Sequence, residues 1–438
     1  MFGISAIPGF DFHVTLIFII ERIPVLVAFT LILPFIVKKS LFFYAILAIP
    51  LALMAMTIGT ITGSWEDAQR RGYDLSLPSL RAKLDDYVMT GNDDLNHILN
   101  SDKYAPTFGL EEVTYLLKDA FADALLHLDH YNKDNIAEGY NKGNDWFEAT
   151  LGEPMVYTSG IYKHGNETLK EAQEYKLDYV ANAIELKKGD KVLDIGCGWG
   201  RLIHHFTTKY GADMTGITLS TEQRQWGMNL NKDNNAKILL QDGMKMHERT
   251  DNPKGGFDKI TSLEMAEHVG IKRYQEFLKE VHNLLKEDGI FYFQVAGLRR
   301  HWRYEDLVWG LFMMEHVFPG ADASLDIGWV STQLERAGFE VQRVNNLGTH
   351  YSRTLDQWLE VWRANKDKTI NTYGAKSYRR WEVFLAWSVR VARQGSSTVF
   401  MITATKQGQK ILETPRTAAL REARRIQTQK HIVPIWEN

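Results

Sequence analysis

The spacing of apolar positions changes character twice along this chain, and each change marks a different kind of element. Residues 14–37 are apolar except for Thr15, Glu21, Arg22, Thr30 and two prolines, and residues 41–62 run without a charge. At 1.5 Å per helical residue the second run is about 33 Å long, enough for a hydrocarbon core of roughly 30 Å. It predicts a membrane span. In the first run Glu21 and Arg22 are costly at mid-bilayer, and Pro24 and Pro34 interrupt the helical hydrogen bonds. A re-entrant or interfacial helix therefore competes with a span there, and a buried helical hairpin is the soluble alternative for the pair. No basic stretch precedes the first run, which argues against a cleavable signal peptide.

From 67 to 186 the apolar residues return at helical spacing, as in Val113, Leu116, Leu117, Phe121, Leu125 and Leu128. After Lys187 the pattern becomes one of short apolar runs separated by helical stretches. Strands are expected at Lys191 to Asp194, Asp213 to Thr218, Lys237 to Leu240, Asp258 to Ser262 and Ile290 to Val295, with helices at Thr221 to Leu230 and Arg273 to Lys286. Strands alternating with helices predict an α/β fold with a doubly wound parallel sheet, to which Phe339 to Asn346 and Ser397 to Thr405 could add strands. The tail 406–438 carries seven Lys or Arg against three Glu and reads as a solvated helix that faces a membrane surface. The expected organisation is thus membrane segments in 1–66, a helical accessory segment in 67–186, an α/β domain in 187–405 with an apolar insertion near 300–335, and a basic tail.

Composition narrows the functional class. Over 438 residues, 45% hydrophobic and 12% aromatic content excludes disorder as the main state, and a net charge of −3 gives no electrostatic reason to bind nucleic acid. Cys197 is the single cysteine, which excludes an internal disulfide and multi-cysteine zinc sites. His127 and His130 share a helix face without a third ligand, so no metal site is expected. The sequence names no protein partner.

The most specific local signal is Val-Leu-Asp-Ile-Gly-Cys-Gly-Trp-Gly at 192–200. Glycines 196, 198 and 200 let a ligand approach the backbone at the carboxyl end of a strand, where open α/β sheets bind ligands. The dinucleotide pattern is absent, because its third glycine would fall at Arg201. The Asp-x-Gly-x-Gly turn resembles the first motif of class I S-adenosylmethionine-dependent methyltransferases, which implies a Rossmann-like methyltransferase fold. Further blocks extend the likeness: Gly139 to Phe147, Tyr157 to Tyr162, Gly216 to Gln223, Leu239 to Gly243 and Met265 to Gly270 resemble successive motifs of the cyclopropane-fatty-acid synthase and mycolic-acid methyltransferase family. The resemblance spans about residues 138 to 405. It implies that Thr158, Ser159, Asp194, Gly196, Gly198, Gly200, Thr218, Leu219, Ser220, Gln223, Asp242 and Gly243 line an S-adenosylmethionine site, beneath the covering segment. A plain helix N-cap accounts equally for Ser220 and Gln223.

Members of this family methylate an unactivated lipid double bond, and the resulting carbocation loses a proton to a base. That base is thought to be bicarbonate, held by a cysteine-loop backbone, a glutamate, a histidine and a tyrosine. Glu267 and Tyr351 match the last glutamate and tyrosine, whereas the cysteine position falls at Gly160 and the histidine at Gln294. Gly160 could offer a backbone amide and Gln294 one hydrogen bond, but no imidazole remains to hold bicarbonate. These departures, with the apolar N-terminus, resemble the fungal sphingolipid C9-methyltransferases. The implied substrate is a ceramide-type membrane lipid with a Δ8-unsaturated sphingoid base, met at an endoplasmic reticulum or Golgi membrane by a cytosolic catalytic portion. The run Val308 to Met314, flanked by Trp302, Tyr304 and Phe318, is then a candidate lid over the acyl path, or else an ordinary packed helix. A cyclopropane synthase acting on phospholipid chains and a non-catalytic lipid-binding scaffold are the alternatives.

Overall fold

The computed structural model describes residues 59–109, 112, 142–248, 252–299, 303–318 and 325–407. Residues 14–37, most of 41–62, the helically spaced residues 113–128, both His127 and His130, Trp302 and the tail beyond 407 lie outside the described residues. Among the described residues no helix is long and apolar enough to cross a membrane. The helices are α1 (59–70), α2 (Leu80–Thr90), α3 (Leu95–Asn100), α4 (Asn144–Leu151), α5 (Leu169–Ala183), α6 (Arg201–His205), α7 (Thr221–Leu230), α8 (Tyr274–Leu284), α9 (Tyr304–His316), α10 (Ile327–Arg336), α11 (Gly348–Ala364), α12 (Lys366–Tyr373) and α13 (Ala375–Arg393). The strands are β1 (Lys191–Ile195), β2 (Asp213–Thr218), β3 (Lys237–Leu240), β4 (Phe257–Leu263), β5 (Leu285–Leu298), β6 (Phe339–Asn346) and β7 (Ser397–Lys406).

Two compact units divide the chain, 1–131 with 300–316 and 132–299 with 317–438. This division differs from the expected boundaries in two places. Residues 142–186 belong with the α/β domain rather than with a separate accessory segment, and α9 belongs with the N-terminal unit rather than with an insertion of that domain. In the first unit Ser79 caps α2 by accepting from the Ala82 amide, and Gly91 ends it in the left-handed region. Arg81, 4% exposed, reaches from α2 to Asp85 and to Glu315 of α9, and its guanidinium lies 4.9 Å from the centre of the Phe312 ring. Val308, Trp309, Leu311, Phe312 and Met313 of the candidate lid run are all buried.

The second unit is built on a seven-stranded sheet in the order β3-β2-β1-β4-β5-β7-β6. β1 to β5 pair in parallel, but β7 is antiparallel to both β5 and β6, so the sheet is mixed and not wholly parallel as expected. The reason lies in the helices before β7. After β6 the chain is at the carboxyl edge; α11 and α13, of 17 and 19 residues, pack on each other, and Ser397 pairs with Leu298 at that same edge. A chain that leaves and returns at one edge must run back through the sheet. α8 shows how the helices cover it, with Phe277, Leu278, Val281 and Leu284 buried at helical spacing.

Candidate active site

The carboxyl ends of the parallel strands open into a cavity whose wall begins at the turn after β1. Gly198 lies on this wall at φ +52, and no atom stands within 4 Å of where its side chain would begin. Gly200 differs: it precedes α6 at φ +77, a side chain there would meet Ile238 and Gly227, and it does not line the cavity. Of the expected cofactor positions, Thr158, Asp194, Gly196, Gly198, Thr218, Leu219, Ser220, Gln223, Asp242 and Gly243 all face this one cavity, whereas Ser159 and Gly200 stand behind it. Ser220 is also the N-cap of α7, accepting from the Gln223 amide, and Thr218 Oγ1 donates to Gln223 Oε1 at 2.7 Å. The capping and lining readings of this segment hold together.

Three buried charges meet at the cavity. Asp194 is 4% exposed; Thr261 Oγ1 donates to its Oδ1 at 2.7 Å. Burial pushes the Asp194 carboxyl up to about 6, against the pull of that hydrogen bond and of the Lys176 charge. Lys176 projects from α5, donates to Thr158 Oγ1 at 2.7 Å and is held below the usual lysine range by burial, with Glu264 and Asp194 opposing the shift. Glu264 follows β4 directly. Its Oε1 accepts from the Ser159 amide at 2.8 Å and from Gln294 Nε2 at 2.6 Å, and burial raises its pKa against those bonds and the Lys176 charge.

Lys176 and Glu264 are absent from the sequence-based candidates, yet each left a signal. Lys176 falls on the stripe Ala172, Gln173, Lys176, Leu177, Val180, which is buried although it includes a cation. Glu264 occupies the carboxyl end of a strand adjoining the glycine turn, the ligand-binding end of such sheets.

None of the four expected catalytic residues lines the cavity. Gln294 is fully buried on β5 and engaged with Glu264. Glu267, in a short turn of helix after β4, accepts the Ala296 amide through Oε1. The Gly160 amide, expected to be open to an anion, instead donates to Thr354 Oγ1 at 3.0 Å. Tyr351, on α11, has its phenol raised by burial and then by the charges of Glu264 and Glu267. His268 does face the cavity, and burial lowers it to about 4, which keeps it neutral.

An aromatic group closes the side near Tyr157. This ring lines the cavity and packs 5.1 Å from Trp358 and 6.1 Å from Phe318, centre to centre; Phe318 in turn meets His268 and Trp381. Aromatic faces beside a cavity attract positive charge without supplying a base. The arrangement can therefore accept a cationic ligand, stabilise developing positive charge and exclude water.

A sequence model of the mycolic acid cyclopropane synthetase family matches residues 127–402. The chain belongs to this family. Among curated relatives it is 43% identical over 307 residues to sphingolipid C9-methyltransferase 2 of Gibberella zeae, covering 68% of this chain and 58% of that one. It is 42% identical over 306 residues to the sphingolipid C9-methyltransferase of Candida albicans, covering 68% and 60%. The chain thus spans less than two thirds of the length of these relatives. Among solved structures, a cyclopropane synthase from Mycobacterium tuberculosis is 26% identical with a TM-score of 0.57, covering 63% of this chain and 98% of that chain. A mycolic acid cyclopropane synthase complexed with SAH and CTAB is 28% identical with a TM-score of 0.59 over the same shares. Membership accounts for the order of the motifs, since the matched segment contains every sheet strand except the last four residues of β7.

Proposed function

We propose that this chain transfers a methyl group from S-adenosylmethionine to carbon nine of a Δ8-unsaturated sphingoid base in a ceramide-type lipid, giving a 9-methyl sphingolipid. The observation that carries the reading is the cavity itself: a glycine turn with open space at Gly198 and the buried carboxylate of Asp194, in a chain over 40% identical to sphingolipid C9-methyltransferases. These residues fit the cofactor, because its amino charge matches the buried carboxylate of Asp194 and its bulk needs the space beside Gly198. Asp194 and Gly196 to Gly198 would hold its methionine end, and Thr218, Leu219, Ser220, Gln223, Asp242 and Gly243 the remainder. The bound cofactor supplies an electrophilic methyl group. The protein's own part is to orient the alkene, keep water out, place the face of Tyr157 beside developing positive charge and remove a proton.

Attachment to a membrane through 1–66, at the endoplasmic reticulum or Golgi with the catalytic unit in the cytosol, belongs to the same proposal and rests on the uncharged run 41–62. Similarity to cyclopropane synthases supports a second reading, ring formation on an acyl chain. The polar contacts made by Gly160 and Gln294 give bicarbonate no evident seat, which disfavours that reading. A host supplied with Δ8-unsaturated ceramide and expressing this chain should accumulate the 9-methyl lipid, detected by mass spectrometry. An unchanged lipid profile beside active cofactor binding would refute the substrate, and absence of cofactor binding would favour a scaffold.

A further inference from the structure

Glu264 is held with unusual care for a side chain at a strand end. Its backbone adopts φ +50, a left-handed conformation that strains a non-glycine residue. Its amide donates to the Gln294 carbonyl at 2.7 Å, while its Oε1 accepts from the Gln294 side chain and the Ser159 amide. Three bonds thus fix this residue at the cavity wall, two of them on its carboxylate. Both side-chain bonds fall on Oε1, and among the described residues Oε2 accepts none, so that oxygen keeps its basic lone pairs. Glu267, by contrast, lies off the cavity and is anchored to β5.

We propose that Glu264 is the proton acceptor of the methyl transfer, with Gln294 and the Ser159 amide as its positioning groups. The inference rests on the methyltransferase reading above. In the step, the alkene electron pair forms the bond from carbon nine to the transferred methyl carbon, and the carbon–sulfur bond breaks with its pair left on sulfur. Positive charge then lies at carbon eight. Oε2 takes the proton from carbon nine, and the carbon–hydrogen pair closes the double bond between carbons eight and nine. Glu264, now a neutral acid, returns the proton to water when the product leaves. The buried Lys176 charge stabilises the carboxylate before the step, and burial favours the neutral acid after it.

The test uses the full chain in detergent with Δ8-unsaturated ceramide. Glu264→Gln preserves shape and should lower kcat by about 10² or more, with affinity for S-adenosylhomocysteine within about threefold of the unmodified protein by calorimetry. Glu264→Gly suits the left-handed backbone and leaves room for a small carboxylate. Formate should raise its turnover at least tenfold, and ¹³C-formate should bind the cofactor-free variant, but not the unmodified protein, by NMR line broadening. Glu264→Gln turnover within threefold of normal would overturn the inference. So would a tenfold loss of S-adenosylhomocysteine affinity in that variant, which would make Glu264 a cofactor ligand, or a folded Glu264→Gly protein that neither binds nor uses formate. Failure of the unmodified protein to bind S-adenosylhomocysteine would instead remove the methyltransferase reading itself.

Discussion

At Gly198 the φ of +52 and the empty space beyond it make two separate demands on any replacement. Gly198→Val should cost about 1–2 kcal/mol in backbone strain and also fill the cavity. Cofactor affinity should fall at least about 10²-fold by calorimetry while circular dichroism keeps its helical signal; unchanged affinity would mean that the cofactor does not approach this turn. Asp194 makes a second prediction. With its carboxyl raised to about 6, the folded chain holds this proton more tightly than the unfolded chain, whose value is near 4. The group therefore favours folding below pH 4 and loses that contribution as pH rises through 6. Binding of the cationic cofactor works in the opposite direction, because it needs the carboxylate. Affinity should drop by up to about tenfold per pH unit below 6, with proton release near pH 6 visible as a buffer-dependent heat; a flat profile from pH 5 to 7 would remove Asp194 from the cationic contact. At this scale the sequence reading found the glycines and Asp194, because a spacing of one residue encodes a turn. It missed Lys176 and Glu264, since nothing in one-dimensional spacing reveals that residues 88 apart share a buried charge pair.

Among the elements, α5 carries the cavity lysine and begins with a complete capping box. Thr168 Oγ1 accepts the Glu171 amide, and the Glu171 carboxylate accepts the Thr168 amide. Thr168→Ala should cost about 1 kcal/mol and lower Tm by a few degrees by calorimetry. Lys176 sits two turns further on, so cofactor affinity should change by less than about threefold. A large affinity loss would show that the cap itself positions Lys176. The five parallel strands were legible from short apolar runs that alternate with helical stretches. The reversal of β7 was not, because it depends on α11 and α13 returning the chain to the edge it left. Likewise Val308 to Met314 reads from sequence as lid or as packed helix. Burial of five of its side chains, with Arg81 beside Phe312 and bonded to Glu315, gives it the character of a packed helix.

For the whole molecule, the apolar N-terminal runs and the α/β unit imply separable tasks. Ser64 is buried and accepts the Phe108 amide, so a cut must fall before α1. Removal of residues 1–58 should leave S-adenosylmethionine affinity within about threefold and full methylation of detergent-dispersed ceramide, with at least tenfold slower methylation of ceramide in vesicles. Equal rates on vesicles would make the N-terminal runs dispensable for reaching a bilayer substrate. Membership in the family was legible because its motifs keep their order, whereas the division into units was not, since α9 joins residues far earlier in the chain. The central claim is methyl transfer that ends in a branched alkene, and one isotopic measurement reaches it directly. The full chain is incubated with Δ8-unsaturated ceramide and S-adenosylmethionine bearing a trideuterated methyl group, and the lipid is analysed by mass spectrometry. Loss of the proton from carbon nine predicts a 9-methyl product that keeps all three deuterium atoms; a product with two would mean closure to a cyclopropane, and an unlabelled lipid would mean that no methyl group had been transferred.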